Sequence, residues 1–287
     1  MNHQQTIEQL LHYQSFIELT ARERTRQLLD ADSWRELAGP FERLYSPWLA
    51  AQGIVAQADD GVVVAKGRLA GQPVVVLAVE GGFQGGSMGE VGGAKLAGAL
   101  EQAAADNRHG IPTAAVLLLE TGGVRLQEAN LGLAAIADIH AAIVDLGRYQ
   151  PVIGVIAGPV GCFGGMSIAA GLCSYLVVTR EARLGLNGPQ VIEQEAGADE
   201  YDNRDRPFIW SLSGGEQRQH CDLADACLPD DCDTIRDQVQ RYLAQGLPAT
   251  PRHQRHDWYL QRLAAMDTTQ QADASTARHF FLPERSA

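Results

Sequence analysis

The chain has no cysteine before position 162, and the five it carries, Cys162, Cys173, Cys221, Cys227 and Cys232, form no C-x-x-C pair. A structural zinc site needs closely spaced thiolate pairs, so no metal centre is expected. An odd number of cysteines at irregular spacing also fits a reduced, cytoplasmic compartment better than a disulfide framework. No apolar run approaches the roughly 18 residues that a membrane helix requires. No basic stretch followed by an apolar one opens the chain, so no signal peptide is expected. Cationic residues are in deficit: 23 Lys and Arg against 35 Asp and Glu give a formal charge of −12. A nucleic-acid binder would need a basic face, which argues against that class. No GKS or GKT follows any glycine turn, and no dinucleotide fingerprint fits the first one.

What the chain does have is glycine, in three turns. The first is Glu80-Gly81-Gly82-Phe83-Gln84-Gly85-Gly86-Ser87-Met88-Gly89. The second is Glu120-Thr121-Gly122-Gly123-Val124-Arg125. The third is Gly158-Pro159-Val160-Gly161-Cys162-Phe163-Gly164-Gly165-Met166-Ser167. Each follows a short apolar run and precedes a stretch with helical spacing. A strand that ends in paired glycines and turns into a helix presents free backbone N–H groups. Such donors can hold an anion or the oxygen of an enolate. Three of them point to one site assembled from several loops.

The rest of the chain reads as an α/β fold around a buried sheet. Residues 1–14 are polar and read as loose. Ser15, with Glu18 three residues on, suggests a capping box for a helix running through Ala21–Arg26 to Leu28-Leu29-Asp30. Trp34, Leu37, Phe41, Leu44, Tyr45 and Trp48 follow, broken by Gly39-Pro40 and Pro47. Residues 1–50 thus read as a partly helical arm whose aromatics either pack in the core or dock on a partner subunit. Residues 51–287 read as the main domain, in one structural unit with the arm. Strands are expected at Gly61–Leu69, Gln72–Val79, Thr113–Leu119, Val152–Ile156, Tyr175–Thr179 and Ala182–Leu186. Helices are expected at Glu90–Asp106, Leu126–Leu146, Met166–Gly171, Gln190–Gln194, Asp231–Leu243 and Arg255–Ala265. On the Leu126–Leu146 helix, Leu133, Ile136, Ile139 or His140, and Ile143 share one side. Ala196–Arg206 is acidic and reads as an exposed loop or lid. The residues from Thr268 are polar and end without a cap.

Gly85-Gly86-Ser87-Met88-Gly89 is a literal G-x-S-x-G, so Ser87 could be a nucleophile or merely a helix cap. The histidines available to activate it, His109, His140 and His220, have no distinctive setting. Ser167 is open to the same two readings. Glu90, Glu120 and Glu128 could act as acid–base groups or as helix-terminal charges. The backbone itself remains. Paired glycines aim consecutive N–H groups without a Cβ in the way, which suits chemistry beside a thioester carbonyl.

Four stretches, in order, resemble the carboxyltransferase group of the crotonase-like fold. They are Ser15–Glu18 with Ala21–Arg24 and Leu28–Asp30; Gly85–Val91 with Gly93 and Lys95; Thr121–Glu128; and Gly188–Gln194. Gln190 stands where the group usually has Arg. Without a zinc ribbon, and at about half the length of subunits that carry both carboxyltransferase domains, the chain looks most like the beta-subunit family of biotin-independent malonate decarboxylases.

That resemblance implies repeated ββα units around the sheet, in a single domain with helical arms at both ends. It implies decarboxylation of malonyl-S-acyl carrier protein to the acetyl form and CO2, in complex with a gamma subunit. An acyl carrier protein subunit and an acyl-transferase alpha subunit complete the implied partners. No cofactor is bound directly; a phosphopantetheine group on the carrier holds the thioester. By the same likeness Gly122 and Gly123, with Val124 adjoining, form an oxyanion hole, and Gly164 and Gly165 line the thioester site. Gly85, Gly86, Ser87 and Gly89 shape the substrate pocket, and Arg125 orients the second turn beside it. Competing readings are a biotin-dependent carboxyltransferase subunit of an acyl-CoA carboxylase, a non-catalytic scaffold subunit and a serine hydrolase using Ser87.

Overall fold

A computed structural model of the chain describes residues 13–267, 269 and 273–281; most of the polar lead at 1–14 lies outside them. Seven strands form one sheet in chain order: β1 (Arg35–Leu37), β2 (Val62–Leu69), β3 (Gln72–Val79), β4 (Ala114–Leu118), β5 (Val152–Ile156), β6 (Tyr175–Thr179) and β7 (Ala226–Leu228). β1–β2 and β2–β3 pair antiparallel, and β3 through β7 run parallel. Ala70 and Gly71, with φ of 50° and 79°, close the β2–β3 hairpin. Two successive positive φ values match the strands' twist.

The α-helices among the described residues are α1 (Ala21–Leu28), α2 (Glu90–Arg108), α3 (Asn130–Leu146), α4 (Gly165–Leu172), α5 (Pro189–Ala196), α6 (Arg206–Ser213), α7 (Gly215–His220), α8 (Cys232–Gln245), α9 (His256–Ala264) and α10 (Ala274–Phe281). The near-continuous apolar strands follow from burial on both faces. Along β2, Val62 and Val64 face a core built with α2, α3 and α4, whereas Val63 and Ala65 face a second core with α1 and α8. The crossovers place all three glycine turns at the carboxyl ends of β3, β4 and β5, where open parallel sheets carry their crevice.

Several expectations are corrected. The first helix starts at Ala21, and its capping box is Thr20 with Glu23. Ser15 and Phe16 are instead tied down by Asp230, which accepts the Ser15 hydroxyl and the Phe16 and Ile17 N–H groups. Residues 35–37 of the expected helical arm form a strand. Phe41 is 96% exposed, and Tyr45 and Trp48 are each about half exposed, so those aromatics do not pack in the core. The expected helix from Leu126 breaks at Ala129, whose φ of 47° and ψ of −125° separate a short 3-10 turn from α3. Leu133 faces solvent, and Ala135 and Ala142 join Ile136, Ile139 and Ile143 on the buried side. Ala182–Leu186 is no strand, because its groups clamp the third turn: Arg183 O accepts the Cys162 N–H and Leu186 O the Gly164 N–H. In the loop at 196–206, Tyr201 is buried against Phe208.

Candidate active site

The three turns are laced side to side by backbone bonds. From first to second, Gly122 N–H donates to Gly85 O at 2.9 Å, Met88 N–H to Gly123 O at 2.7 Å and Arg125 N–H to Met88 O at 2.8 Å. From second to third, Thr121 N–H donates to Gly161 O at 2.8 Å and Phe163 N–H to Thr121 O at 3.0 Å. This continues the sheet's parallel pairing past the strand ends, as the bridges Met88–Val124 and Thr121–Cys162 record. The approach is close enough to demand glycine. A Cβ on Gly86 would lie 1.9 Å from Glu120 O, and one on Gly164 would lie 3.2 Å from the Cα of Gly123. Gly123 and Gly164 also hold φ of 103° and 60°, which L side chains rarely adopt.

Backbone donors in the turns divide into two sets. Gly122, Gly123 and Gly164 spend their N–H groups inside the protein, on Gly85 O, Thr121 Oγ1 and Leu186 O. The N–H groups of Val124 and Gly165 have no protein acceptor among the described residues. These two sit on facing turns: Val124 N is 3.8 Å from where a Gly164 Cβ would stand. Both residues are partly buried, and Gly122 beside them is exposed. Two open donors on these facing turns are therefore the amide after the Gly122-Gly123 pair and the second amide of the Gly164-Gly165 pair. The sequence reading named Gly122, Gly123, Val124, Gly164 and Gly165 together, because lacing to a neighbouring loop, which engages some of these N–H groups, leaves no mark in local spacing.

Charged residues near the turns hold the backbone. Arg125 is only 1% exposed. Its guanidinium bonds Asp60 at 2.7 Å, Glu128 at 2.8 Å and the Ser87 carbonyl at 3.0 Å, and lies over the Phe83 ring. It joins the first and second turns from beneath, withdrawn from solvent. Gly89 makes room for this cluster, since a Cβ there would meet Glu128 Oε1 at 2.5 Å. Burial raises the Asp60 carboxyl above its ordinary range, against the pull of Arg125 and the Gly92 N–H. Burial also acts to raise Glu128, but the Glu90 N–H, Ser46 and Arg125 outweigh it and hold that carboxyl low.

Glu120 anchors the third turn, accepting the Val160 and Gly161 N–H groups at 2.8 and 3.2 Å and pairing with Arg24 of α1 at 3.0 Å. Glu90 accepts the indole N–H of Trp48. Lys95 is buried, donates to the Asp59 and Val62 carbonyls, and is lowered by burial.

No activated nucleophile is built among the described residues. His109, His140 and His220 each bond a backbone carbonyl, and none bonds Ser87. Ser167 donates to Gly164 O at 2.7 Å. Burial pushes the Cys162 thiol well above its ordinary range. No cluster of three His, Cys, Asp or Glu suited to a metal ion occurs among the described residues.

A mixed sheet whose parallel strands end in laced glycine turns, with open amides and no reactive side chain, defines a crotonase-like protein of the carboxyl-transfer class. The family model described as the carboxyl transferase domain matches residues 17–207, and the chain belongs to that family. It is similar to a chain of a Pseudomonas malonate decarboxylase hetero-tetramer in complex with malonate. The two share 69% identity with a TM-score of 0.93, over 96% of this chain and 100% of that one. It is also similar to a chain of the Pseudomonas MdcD-MdcE hetero-dimer, at 62% identity and a TM-score of 0.75, over 89% of this chain and 98% of that one. A third relative is the malonyl-S-ACP:biotin-protein carboxyltransferase MADC of Malonomonas rubra, 41% identical over 72% of this chain and 69% of its own length.

Proposed function

We propose that this chain is the thioester-binding subunit of a malonate decarboxylase, acting with a gamma partner subunit on malonyl-S-acyl carrier protein. The observation that carries the reading is the pair of open amides, Val124 and Gly165, on facing turns. The thioester carbonyl oxygen accepts both N–H groups. The bond between the α-carbon and the departing carboxylate then breaks, and its electron pair moves into the α-carbon–carbonyl system. CO2 leaves, and the enolate oxygen carries the charge against the two donors. Protonation of the α-carbon gives the acetyl thioester. Each pre-aimed donor is worth about 3 kcal/mol of barrier, roughly a hundredfold in rate.

The phosphopantetheine arm of the carrier brings the thioester to the turns, and an acyl-transferase alpha subunit supplies the acyl exchange. Gly85, Gly86, Ser87, Gly89, Gly122, Gly123 and Gly164 shape the walls, and Arg125 fixes the lacing. The high identity to malonate decarboxylase chains supports this reading. A second reading, transfer of the carboxyl group to biotin, is favoured by the similarity to the Malonomonas rubra carboxyltransferase.

One assay tests both. The chain is combined with its partner subunit and malonyl-carrier protein, with and without a biotinylated protein, and CO2 is followed. Release without biotin is expected. Release that requires biotin overturns the decarboxylase reading in favour of transfer. No turnover in either arm overturns both.

A further inference from the structure

Glu120 opens the second turn just past β4 and is buried where all three glycine turns meet. A Cβ on Gly86 of the first turn would strike its carbonyl oxygen, and one on Gly81 would meet its Cγ at 2.6 Å. A Cβ on Gly158 of the third turn would lie 1.7 Å from its Oε2. Three glycines thus leave room for one side chain. The two oxygens of its carboxylate have separate tasks. Oε1 accepts the Val160 and Gly161 N–H groups, and Oε2 takes Arg24 Nη1 of α1. From Gly161 the chain runs on through Cys162 and Phe163 to Gly164 and Gly165. The loop that carries the open Gly165 amide is therefore gripped at its start by this one carboxylate.

Arg24 is buried, at 7% exposed, and all three guanidinium nitrogens are engaged. Nε donates to Phe16 O at 2.9 Å, Nη2 to Ile17 O at 2.6 Å and Nη1 to Glu120 at 3.0 Å. Phe16 and Ile17 are fixed in turn by Asp230, in the loop before α8, which accepts their N–H groups at 2.8 and 2.9 Å. The planar fork is thus clamped on the side away from the turns, which sets the direction of the nitrogen that meets Glu120. A cleft of about 270 Å³ opens beside the pair. Glu18, Glu80 and Glu120 all line it, with Arg24 the one cation among its described lining residues.

We infer that Arg24 is a positioning residue for the reaction. Acting through Glu120, it fixes the third turn so that the Gly165 amide faces the Val124 amide across the site. The inference rests on the function proposed above and assigns part of the site to a helix far from the glycine turns in sequence. Without the guanidinium, Glu120 is a buried carboxylate beside two others, and its stable alternative is to turn towards water in the cleft. That movement releases the Val160 and Gly161 N–H groups and slackens the loop. Misplacing a donor by about 1 Å costs on the order of a hundredfold in rate, and partial slackening on the order of tenfold. The donors act on charge that develops in the transition state, so the loss falls on kcat and leaves KM in place.

The test uses the full chain assembled with its partner subunit. Hydrogen–deuterium exchange follows the peptide spanning 159–167, and CO2 release from malonyl-carrier protein gives kcat and KM. Arg24→Met removes the cation. Glu120→Gln leaves one acceptor oxygen and turns an amide NH2 against donors on one side. Each is expected to speed exchange in that peptide about tenfold and to lower kcat about tenfold at unchanged KM. The double variant is expected to be no slower than Glu120→Gln alone, because the two changes act on one contact. Arg24→Lys, which keeps a cation beside Glu120, is expected to recover most of kcat. Asp106→Asn, which breaks the remote Lys66 pair, controls for lost stability and is expected to change neither readout. Unchanged exchange in Arg24→Met overturns the inference, as does equal quickening in Asp106→Asn. Faster exchange with kcat intact, or single losses that add in full, overturns it too. Where Arg24→Met does not fold, unchanged exchange in Glu120→Gln overturns it instead. A wild-type complex that releases no CO2 fails the decarboxylase reading alone, since exchange at the third turn still decides the role of the pair.

Discussion

Gly165 offers a clean separation of backbone chemistry from side-chain bulk. It is the first residue of α4, a position where proline is tolerated because the N–H has no intrahelical partner. Gly165→Ala adds a Cβ against Ile136 but keeps the N–H; Gly165→Pro adds similar bulk and removes it. The proline variant is expected to lose about a hundredfold more in kcat than the alanine variant, measured as CO2 release from malonyl-carrier protein in the assembled complex. Equal losses would assign the residue to packing. Gly123 does not allow the same experiment, since its φ of 103° lies far from proline's −65°. Arg125 makes the opposite kind of contribution. Arg125→Met leaves Asp60 and Glu128 buried without their cation, which costs about 3–5 kcal/mol for a broken buried ion pair. Urea unfolding is expected to show that loss, with Arg125→Lys rescuing little because one ammonium cannot span Asp60, Glu128 and the Ser87 carbonyl together.

Helix α3 shows where sequence periodicity stops informing. Its apolar spacing continues upstream through Leu126, yet Ala129 breaks it with a backbone conformation that belongs to glycine. Such a residue stores on the order of 1–3 kcal/mol of strain. Ala129→Gly, at an exposed position, is expected to stabilise the chain by about 1 kcal/mol after the added unfolded-state entropy. A raised urea midpoint with an unchanged slope checks it. The elements with long, regular patterns were legible: β2, β3, β5, β6, α2 and α8 lie within a residue or two of where their alternation or helical spacing puts them.

Three short elements were not. β7 has three residues, and α6 and α7 have only eight and six and are separated by Gly214, so none builds a sustained periodic signal. Among site residues, the glycine turns stood out because doubled glycines before helices are rare patterns. Which amide in each turn stays open depended on Gly85 O and Leu186 O, about 40 and 20 residues away in sequence, and no local pattern encodes that choice.

At the scale of the molecule, stability is tied to pH through carboxylates bound at the sheet's periphery. Burial acts to raise Asp106, but Lys66, Gln102 and Thr113 outweigh it and hold the carboxyl below its ordinary 3.8. A carboxyl depressed in the folded state stabilises fully above its unfolded pKa and loses that contribution as pH falls through the folded value. Asp106→Asn is therefore expected to be less stable than wild type at pH 7. The gap should narrow below about pH 3.8, read from urea unfolding at a series of pH values. A gap of constant size across that range would rule out the Lys66 pair as its source.

The laced turns have one more consequence, for how such a protein tolerates change. Alanine scanning erases functional groups beyond Cβ, and the groups proposed to do the work here belong to the peptide chain. A scan of the polar residues around the turns would mostly report losses of folding. Genetic sensitivity should concentrate instead at Gly86, Gly123, Gly158 and Gly164, where even a methyl group has no room or the wrong handedness. In a saturation library the working centre would surface as a cluster of irreplaceable glycines, a signature more often read as a flexible hinge.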